Sequence, residues 1–130
     1  MKKGDTFEHV FLINDAVYKG FIELFHDKNP LHVNRDFAQS KGFDAEVMHG
    51  NILGGFLSYF IGECLPEKNV IIHSQEIKYT KPVYKDNELI FNAEITEIFR
   101  SVNAIEFKFK FTNKDTATVV AKGKIQIGII

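Results

Sequence analysis

This 130-residue sequence has little cysteine, no run of like charges and no long apolar run. These absences exclude a disulfide-linked protein, a binder of nucleic acid or anionic membranes, and a membrane-spanning protein. The single cysteine, Cys64, cannot form an internal disulfide, and its apolar neighbours predict a small buried side chain. Sixteen basic and seventeen acidic side chains are interspersed, which excludes the charge pattern of a nucleic-acid binder or an anionic-membrane binder. Asn14 and Asp15 interrupt the first apolar run, which predicts neither a signal peptide nor a membrane span. We therefore expect a soluble protein of the reducing cytoplasm.

The residues that are present predict one globular domain over 1–130. Apolar residues make up 45% and charged residues 25% of the chain, which are ordinary globular values. Thirteen Phe and no Trp indicate a core rich in packed phenyl rings. The chain is long enough to bury one real core and too short for two.

The apolar pattern is helical up to about residue 68 and alternating after it. An opening strand over 7–13 is followed by a predicted helix over 16–25, which begins at Asn14 and Asp15 and must end before Pro30. A short helix follows Asn34 and closes at Gly42. The next helix, over 50–65, is predicted to be largely buried. Its apolar face comprises Ile52, Leu53, Phe56, Leu57, Phe60, Ile61, Cys64 and Leu65, and a stripe of small or polar residues comprises Asn51, Gly55, Ser58 and Gly62.

The second half of the sequence predicts antiparallel strands with one solvent-exposed face. In the segment 104–112, Phe107, Phe109 and Phe111 alternate with charged residues. Segments 70–79, 88–99 and 119–130 follow the same pattern less cleanly, and the short turns between them favour pairing in chain order. The expected fold is therefore α+β, with one long buried helix against a curved antiparallel sheet.

The first candidate site is the segment HDKNPLH, where Asp27, Asn29 and His32 follow the end of a helix. A carboxylate and an imidazole close together can act as a general acid/base pair, and Asn29 could orient either of them. The alternative is a satisfied turn in which Asp27 caps an N–H group, Asn29 adopts a tight conformation and His32 lies on the surface.

The second candidate is the start of the long helix at His49 and Gly50, where free N–H groups and the positive end of the helix dipole meet. Gly50 would leave room for a substrate carbonyl to reach a backbone N–H, as an oxyanion hole requires. The alternative is an ordinary helix start with a buried histidine. Ser58 could donate to the same ligand, or it could bond back to its own helix.

The sequence contains no motif for a zinc site, a phosphate-binding loop or a serine nucleophile. The five histidines lack the spacing and the cysteine companions of a zinc site, so no metal is expected. The sequence GNILGG lacks the preceding strand of a phosphate loop, and no GxSxG nucleophile motif occurs.

Together the two motifs resemble the signature of the MaoC-like hot-dog hydratases, whose best-known members are the R-specific enoyl-CoA hydratases. The resemblance rests on D-x-N-P-x-H at Asp27 to His32, followed by H-G at His49 and Gly50, with His49 seventeen positions after His32. Further similarities are Phe37, Ala38, Ser58, Gln75, Pro82 and the segment DNEL at 86–89.

The resemblance implies a hot-dog fold, a homodimer with sheets joined edge to edge, and no cofactor. It implies that Asp27 and His32 hold one water and add it across the double bond of a 2-enoyl thioester, or remove it from an R-3-hydroxyacyl thioester. The Gly50 N–H would bind the thioester oxygen, and Asn29 and Ser58 would orient the pair or the ligand. Asn51 departs from the family pattern and places a polar side chain near this oxyanion site.

Two other functions stay open at this point: a hot-dog acyl-thioesterase, and a catalytically silent acyl-binding subunit. The acyl carrier would be coenzyme A or acyl carrier protein. An acidic carrier protein would need a basic rim, for which the candidates are Lys28, Arg35, Lys41, Lys78, Lys81 and Arg100. The long helix carries four bulky residues, Phe56, Tyr59, Phe60 and Ile61. If some of them face the acyl chain of the substrate, a short chain would fit better than a long one.

Overall fold

A five-stranded antiparallel sheet forms one layer of the molecule, which a computed structural model describes over residues 1–130. The strands lie in the order β1-β3-β4-β5-β2. Their bounds are Thr6–Leu12 (β1), Val70–Tyr79 (β2), Glu88–Phe99 (β3), Ala104–Asn113 (β4) and Thr118–Ile129 (β5). All five strand predictions from sequence are confirmed to within one residue at each end.

The helices lie between β1 and β2 in the chain. They are Asp15–Phe25 (α1), Pro30–Val33 (α2), Arg35–Ser40 (α3) and Asn51–Tyr59 (α4). The predicted caps of α1 and α3 are confirmed, since the side chains of Asn14 and Asn34 accept hydrogen bonds from the N–H groups of Val17 and Phe37. None of these helices combines the length and the apolar composition needed to cross a bilayer.

The helix α4 is shorter than predicted and changes geometry at its end. After Tyr59 the chain forms one π-helical turn over Phe60–Cys64, and Leu65 is already extended. The apolar face keeps its predicted role, because Ile52, Leu53 and Leu57 are buried in α4 and Phe60 and Ile61 in the π turn.

One core fills the space between α4 and the sheet. Twenty-two buried residues contact one another there. The alternation predicted for β4 is confirmed, since Phe107, Phe109 and Phe111 are buried while Lys108 and Lys110 are exposed. Phenyl rings from both layers interlock, as in the Phe60–Phe91 pair at 4.8 Å between centroids.

Pairing in chain order holds for β3, β4 and β5 and is wrong for β2. The strand β2 pairs with β5, so it lies at the opposite edge from β3, which pairs with β1. The connection over 80–87 therefore crosses the molecule instead of forming a hairpin. On its way it passes the start of α4, where the Met48 N–H donates to the Val83 carbonyl at 2.8 Å. The central helix against a curved antiparallel sheet is the hot-dog architecture, and this crossing places part of its connection at the candidate site.

Candidate active site

The segment that holds Asp27 is a tight turn between α1 and α2. One carboxylate oxygen of Asp27 accepts from the Asn29 N–H at 3.1 Å, and the Asn29 side-chain oxygen accepts from the Leu31 N–H at 3.0 Å. Pro30 then opens α2, where its missing N–H is not needed. His32 therefore lies on a short helix and not on the loop predicted from sequence. Asp27 caps an N–H group, as the satisfied-turn alternative expected, and Asn29 acts as the cap of α2, which that alternative did not include.

His32 is held against the chain with one ring nitrogen free. Its Nδ1 lies 2.7 Å from the Val47 carbonyl oxygen. Because a carbonyl can only accept, Nδ1 carries a hydrogen and the neutral ring keeps its lone pair on Nε2. That Nε2 lies 3.8 Å from the second carboxylate oxygen of Asp27. The side chain is only 17% exposed, so the surface position of the satisfied-turn alternative is wrong for His32.

His49 packs behind this pair and is itself 3% exposed. Its ring stacks on His32 with 3.9 Å between centroids, and its Nε2–H donates to the Asp27 carbonyl at 2.9 Å. Burial, aided by the nearby His32, lowers the pKa of His49 and outweighs the opposing hydrogen bond to Asp27. His49 is therefore a neutral ring that fixes the backbone of Asp27, and its Nδ1 has no partner.

The start of α4 presents unused hydrogen-bond donors beside the pair. The N–H groups of Gly50 and Asn51 donate to no other residue, and no side chain caps this helix. The helix dipole adds positive potential at the same place. A developing negative charge on an oxygen would be stabilised there.

These groups line a cavity of about 580 Å³. Asp27, His32 and Gly50 share it with the crossing connection, which contributes residues 80–83. An apolar groove of about 790 Å³ between α1 and α4 adjoins it, and both spaces are lined by Phe21, Asp27 and Asn51. Asn51 is thus placed at the junction of the two spaces, next to Gly50.

Asn29 does not line this cavity, and Ser58 is the second predicted site residue that the fold does not bring to it. It lies on the exposed side of α4 and belongs to neither lining. Sequence reasoning assigned no role to Tyr79, whose ring covers Gly50 from the end of β2. Tyr79 stands in the segment that carried the family resemblance, but no local pattern could place it opposite Gly50.

The convergence of Asp27, His32 and His49 also bears on metal binding. One ligand atom from each lies within 4.8 Å of the others. His32 and His49, which are separated in the sequence, therefore lie together in the folded protein. However, the lone pairs of imidazole lie in the ring plane, and these rings are stacked at an interplanar angle of 28°. Two lone pairs in nearly parallel planes 3.9 Å apart do not converge on one ion at about 2.0 Å from each nitrogen. The lone pair of His32 instead lies beside the Asp27 carboxylate, an arrangement that can transfer protons.

Comparison with known proteins identifies the family. The model of the MaoC like domain matches residues 13–120. An (R)-specific enoyl-CoA hydratase from Rhodospirillum rubrum is 28% identical over 131 residues, covering 95% of this chain and 91% of the relative. A mitochondrial 3-hydroxyacyl-[acyl-carrier-protein] dehydratase from Arabidopsis thaliana is 24% identical over 123 residues, covering 92% of this chain and 73% of the relative.

Solved structures agree with the fold. The (R)-hydratase from A. caviae superposes with a TM-score of 0.90 at 22% identity, covering 100% of this chain and 98% of the other. An R-hydratase from Pseudomonas aeruginosa gives a TM-score of 0.88 at 23% identity, covering 99% and 82%. The chain therefore belongs to the MaoC like domain family.

Proposed function

We propose that the protein catalyses R-specific hydration of trans-2-enoyl thioesters, or the reverse dehydration of R-3-hydroxyacyl thioesters. It is a hydro-lyase, the class to which the hydratases and dehydratases among its relatives belong. The observation that carries the specific assignment is the approach of Asp27 and His32 to 3.8 Å beside the free N–H of Gly50.

The acid/base pair acts through one water. A water between the Asp27 carboxylate and the His32 Nε2 lone pair donates one hydrogen to each, because both atoms can only accept in these protonation states. As the water oxygen bonds to C3 of the substrate, one of the two groups takes its proton, and a proton then reaches C2 from the same side. The hydrogen bond from Nδ1 to the Val47 carbonyl keeps the His32 ring in position throughout.

The Gly50 N–H stabilises the charge that this addition creates. When oxygen bonds to C3, the electrons of the double bond move toward the thioester carbonyl, whose oxygen becomes enolate-like. A donor already aimed at that oxygen is more effective than water, because it needs no reorganisation during the reaction. The Gly50 N–H has no acceptor within the protein, so it is available to the thioester oxygen.

The acyl chain is assigned to the apolar groove between α1 and α4, and we infer a preference for a short chain. Of the four bulky residues considered from sequence, Phe60 and Ile61 lie in the core and Tyr59 lies outside the groove. Phe56 does line it, stacked on Phe11 at 4.4 Å between centroids. Chain length is therefore expected to be limited by Phe56, and Phe56→Ala to raise activity on longer enoyl chains relative to crotonyl.

The carrier is coenzyme A or acyl carrier protein, whose common group is phosphopantetheine. Among the basic candidates, Arg35 and Lys78 are paired with Glu46 and Glu76. Lys81 lines the cavity without such a pair, so its ammonium is available to a phosphate. We also propose a homodimer, formed through the free edge of β2.

Incubation of the purified protein with crotonyl-CoA tests the proposal. The absorbance of the conjugated enoyl thioester is expected to fall, and chiral analysis is expected to give R-3-hydroxybutyryl-CoA. Release of free thiol would identify a thioesterase instead. Tight binding of acyl thioesters, on CoA and on carrier protein, with no turnover of either would identify a silent binding subunit.

A further inference from the structure

The ring of Tyr79 lies directly over Gly50. A Cβ at position 50 would stand 2.9 Å from Cζ of Tyr79 and 3.3 Å from its hydroxyl oxygen. These distances are shorter than ordinary carbon contacts, so the ring occupies the space that a side chain at residue 50 would need. The hydroxyl of Tyr79 is thus a close neighbour of Gly50, the residue whose N–H is assigned to the thioester oxygen.

This hydroxyl is the only side-chain hydroxyl of the cavity that is free to bind a ligand. Two hydroxyl residues line the cavity, Tyr79 and Thr80, and the Thr80 hydroxyl donates to the Val119 carbonyl at 2.9 Å. The hydroxyls of Tyr18 and Tyr84 are likewise engaged, with the His32 carbonyl and the Asp44 N–H. The Tyr79 hydroxyl has no partner in the chain.

We propose that the Tyr79 hydroxyl is a second hydrogen-bond donor to the substrate thioester oxygen, opposite the Gly50 N–H. The inference rests on the proposed function and adds a catalytic side chain to it. Two donors at one oxygen form a complete oxyanion site, in which each donor shares the developing charge.

The chemistry requires that Tyr79 stay protonated. Partial burial raises the pKa of Tyr79 above its usual value of 10.0, so its oxygen carries a hydrogen at neutral pH. During hydration no proton leaves this hydroxyl: the O–H···O bond shortens while the enolate-like oxygen is charged and relaxes when C2 takes up its proton. Because the bond is stronger to the charged oxygen than to the neutral carbonyl, it lowers the barrier more than it tightens substrate binding.

Tyr79→Phe tests the inference, because it keeps the ring that packs on Gly50 and removes only the hydroxyl. The matched control is Tyr59→Phe, since Tyr59 is also half exposed but lies outside the cavity. On crotonyl-CoA we expect Tyr79→Phe to lower kcat on the order of 10- to 100-fold with KM changed far less. The control is expected to match the wild type.

A second readout does not depend on hydration. Acetoacetyl-CoA carries the same thioester oxygen and forms an enolate whose near-ultraviolet absorbance differs from that of the keto form. We expect the wild type and Tyr59→Phe to raise the enolate fraction of the bound ligand, and Tyr79→Phe to raise it clearly less.

The two readouts separate the possible failures. If the wild type hydrates crotonyl-CoA and Tyr79→Phe retains its full kcat and enolate signal, the role of Tyr79 is wrong and the proposed function stands. If the wild type hydrates nothing but the enolate signal still depends on Tyr79, the oxyanion site is correct and the reaction assignment is wrong. If neither protein binds acetoacetyl thioesters or hydrates crotonyl thioesters, whether on CoA or on carrier protein, both are overturned.

Discussion

His32 has one nitrogen available for proton exchange, and the fold decides which one. The spacing of Asp27 and His32 predicts their proximity, because five residues of chain cannot separate them far. The Val47 carbonyl that holds Nδ1 is fifteen residues away, and no local pattern pairs it with His32. The residue types of the site were therefore predictable from sequence, whereas the tautomer of His32 and its 3.9 Å stack on His49 required the structure.

His49 makes a pH-dependent contribution to stability. Burial keeps its pKa below the ordinary value of 6.5, so the folded protein holds the ring neutral while the unfolded chain takes up a proton as the pH falls. The unfolded state then binds more protons, so this contribution is present above the ordinary pKa and is lost as the pH falls below it. We expect the free energy of unfolding of His49→Phe to fall less between about pH 7 and pH 5 than that of the wild type.

Urea unfolding at several pH values measures this difference as a slope, which is independent of the constant cost of losing the hydrogen bond to Asp27. The control is His26→Asn, which removes an exposed imidazole from a left-handed position that asparagine tolerates. This variant shows how far the loss of an imidazole outside the site changes the slope. Equal slopes in the wild type and His49→Phe would contradict the account of His49.

The ring geometry at His32 and His49 also predicts the response to metal removal. Because the stacked rings do not direct their lone pairs at one point, catalysis is expected to need no metal ion. Dialysis against EDTA should leave the rate of crotonyl-CoA hydration unchanged. Loss of activity that returns with added Zn²⁺ would show that the three residues act as ligands.

At the scale of elements, the glycines at the start of α4 have different reasons to be there. A Cβ on Gly50 would meet the Tyr79 ring at 2.9 Å, while a Cβ on Gly55 would meet nothing within 4 Å. We expect Gly50→Ala to lower the free energy of unfolding by about 1–3 kcal/mol through overpacking. Gly55→Ala should raise it by about 0.5–1 kcal/mol, because alanine is the better helix former. Denaturant unfolding of both variants checks the pair, and stabilisation by Gly50→Ala would contradict the packing of Tyr79 on the helix.

Elements specified by local pattern were predictable, and elements specified by distant contacts were not. The caps at Asn14 and Asn34 and the alternation in β4 each depend on a few neighbouring residues, so the sequence indicates them. The pairing of β2 with β5 depends on residues more than forty positions apart, such as Tyr79 and Ala121. The π turn after Tyr59 follows a continuous apolar pattern that does not distinguish it from α-helix. The position of Tyr79 over Gly50 depends on these features and was missed with them.

At the scale of the whole molecule, β2 is the edge most in need of a partner. Eight of its ten residues are exposed, including Ile71 and Ile72, and it contributes no buried residue. The other edge strand, β1, places Phe11 in the core. An exposed apolar edge of this length favours pairing with another strand, and a second β2 related by a two-fold axis would cover it.

The proposed dimer is tested by charges on this edge. We expect the wild type to be a dimer by sedimentation or light scattering, and the double variant Ile71→Lys/Ile72→Lys to be a monomer, because paired like charges oppose edge association. The matched control is Val10→Lys/Leu12→Lys on β1, where both residues are similarly exposed. If the β1 variant were a monomer and the β2 variant a dimer, the interface would lie at β1, and our assignment to β2 would be wrong.

The most direct test of the central claim is kcat for crotonyl-CoA hydration by Asp27→Asn, measured beside Asp115→Asn. The amide keeps the shape of Asp27 and its acceptor oxygen for the Asn29 N–H, and it removes the carboxylate that shares the water with His32. Asp115 is an exposed carboxylate in the turn between β4 and β5, outside the cavity. We predict a loss of about 10²- to 10⁴-fold for Asp27→Asn and none for Asp115→Asn. Equal rates in Asp27→Asn and the wild type would contradict the acid/base role of the Asp27–His32 pair.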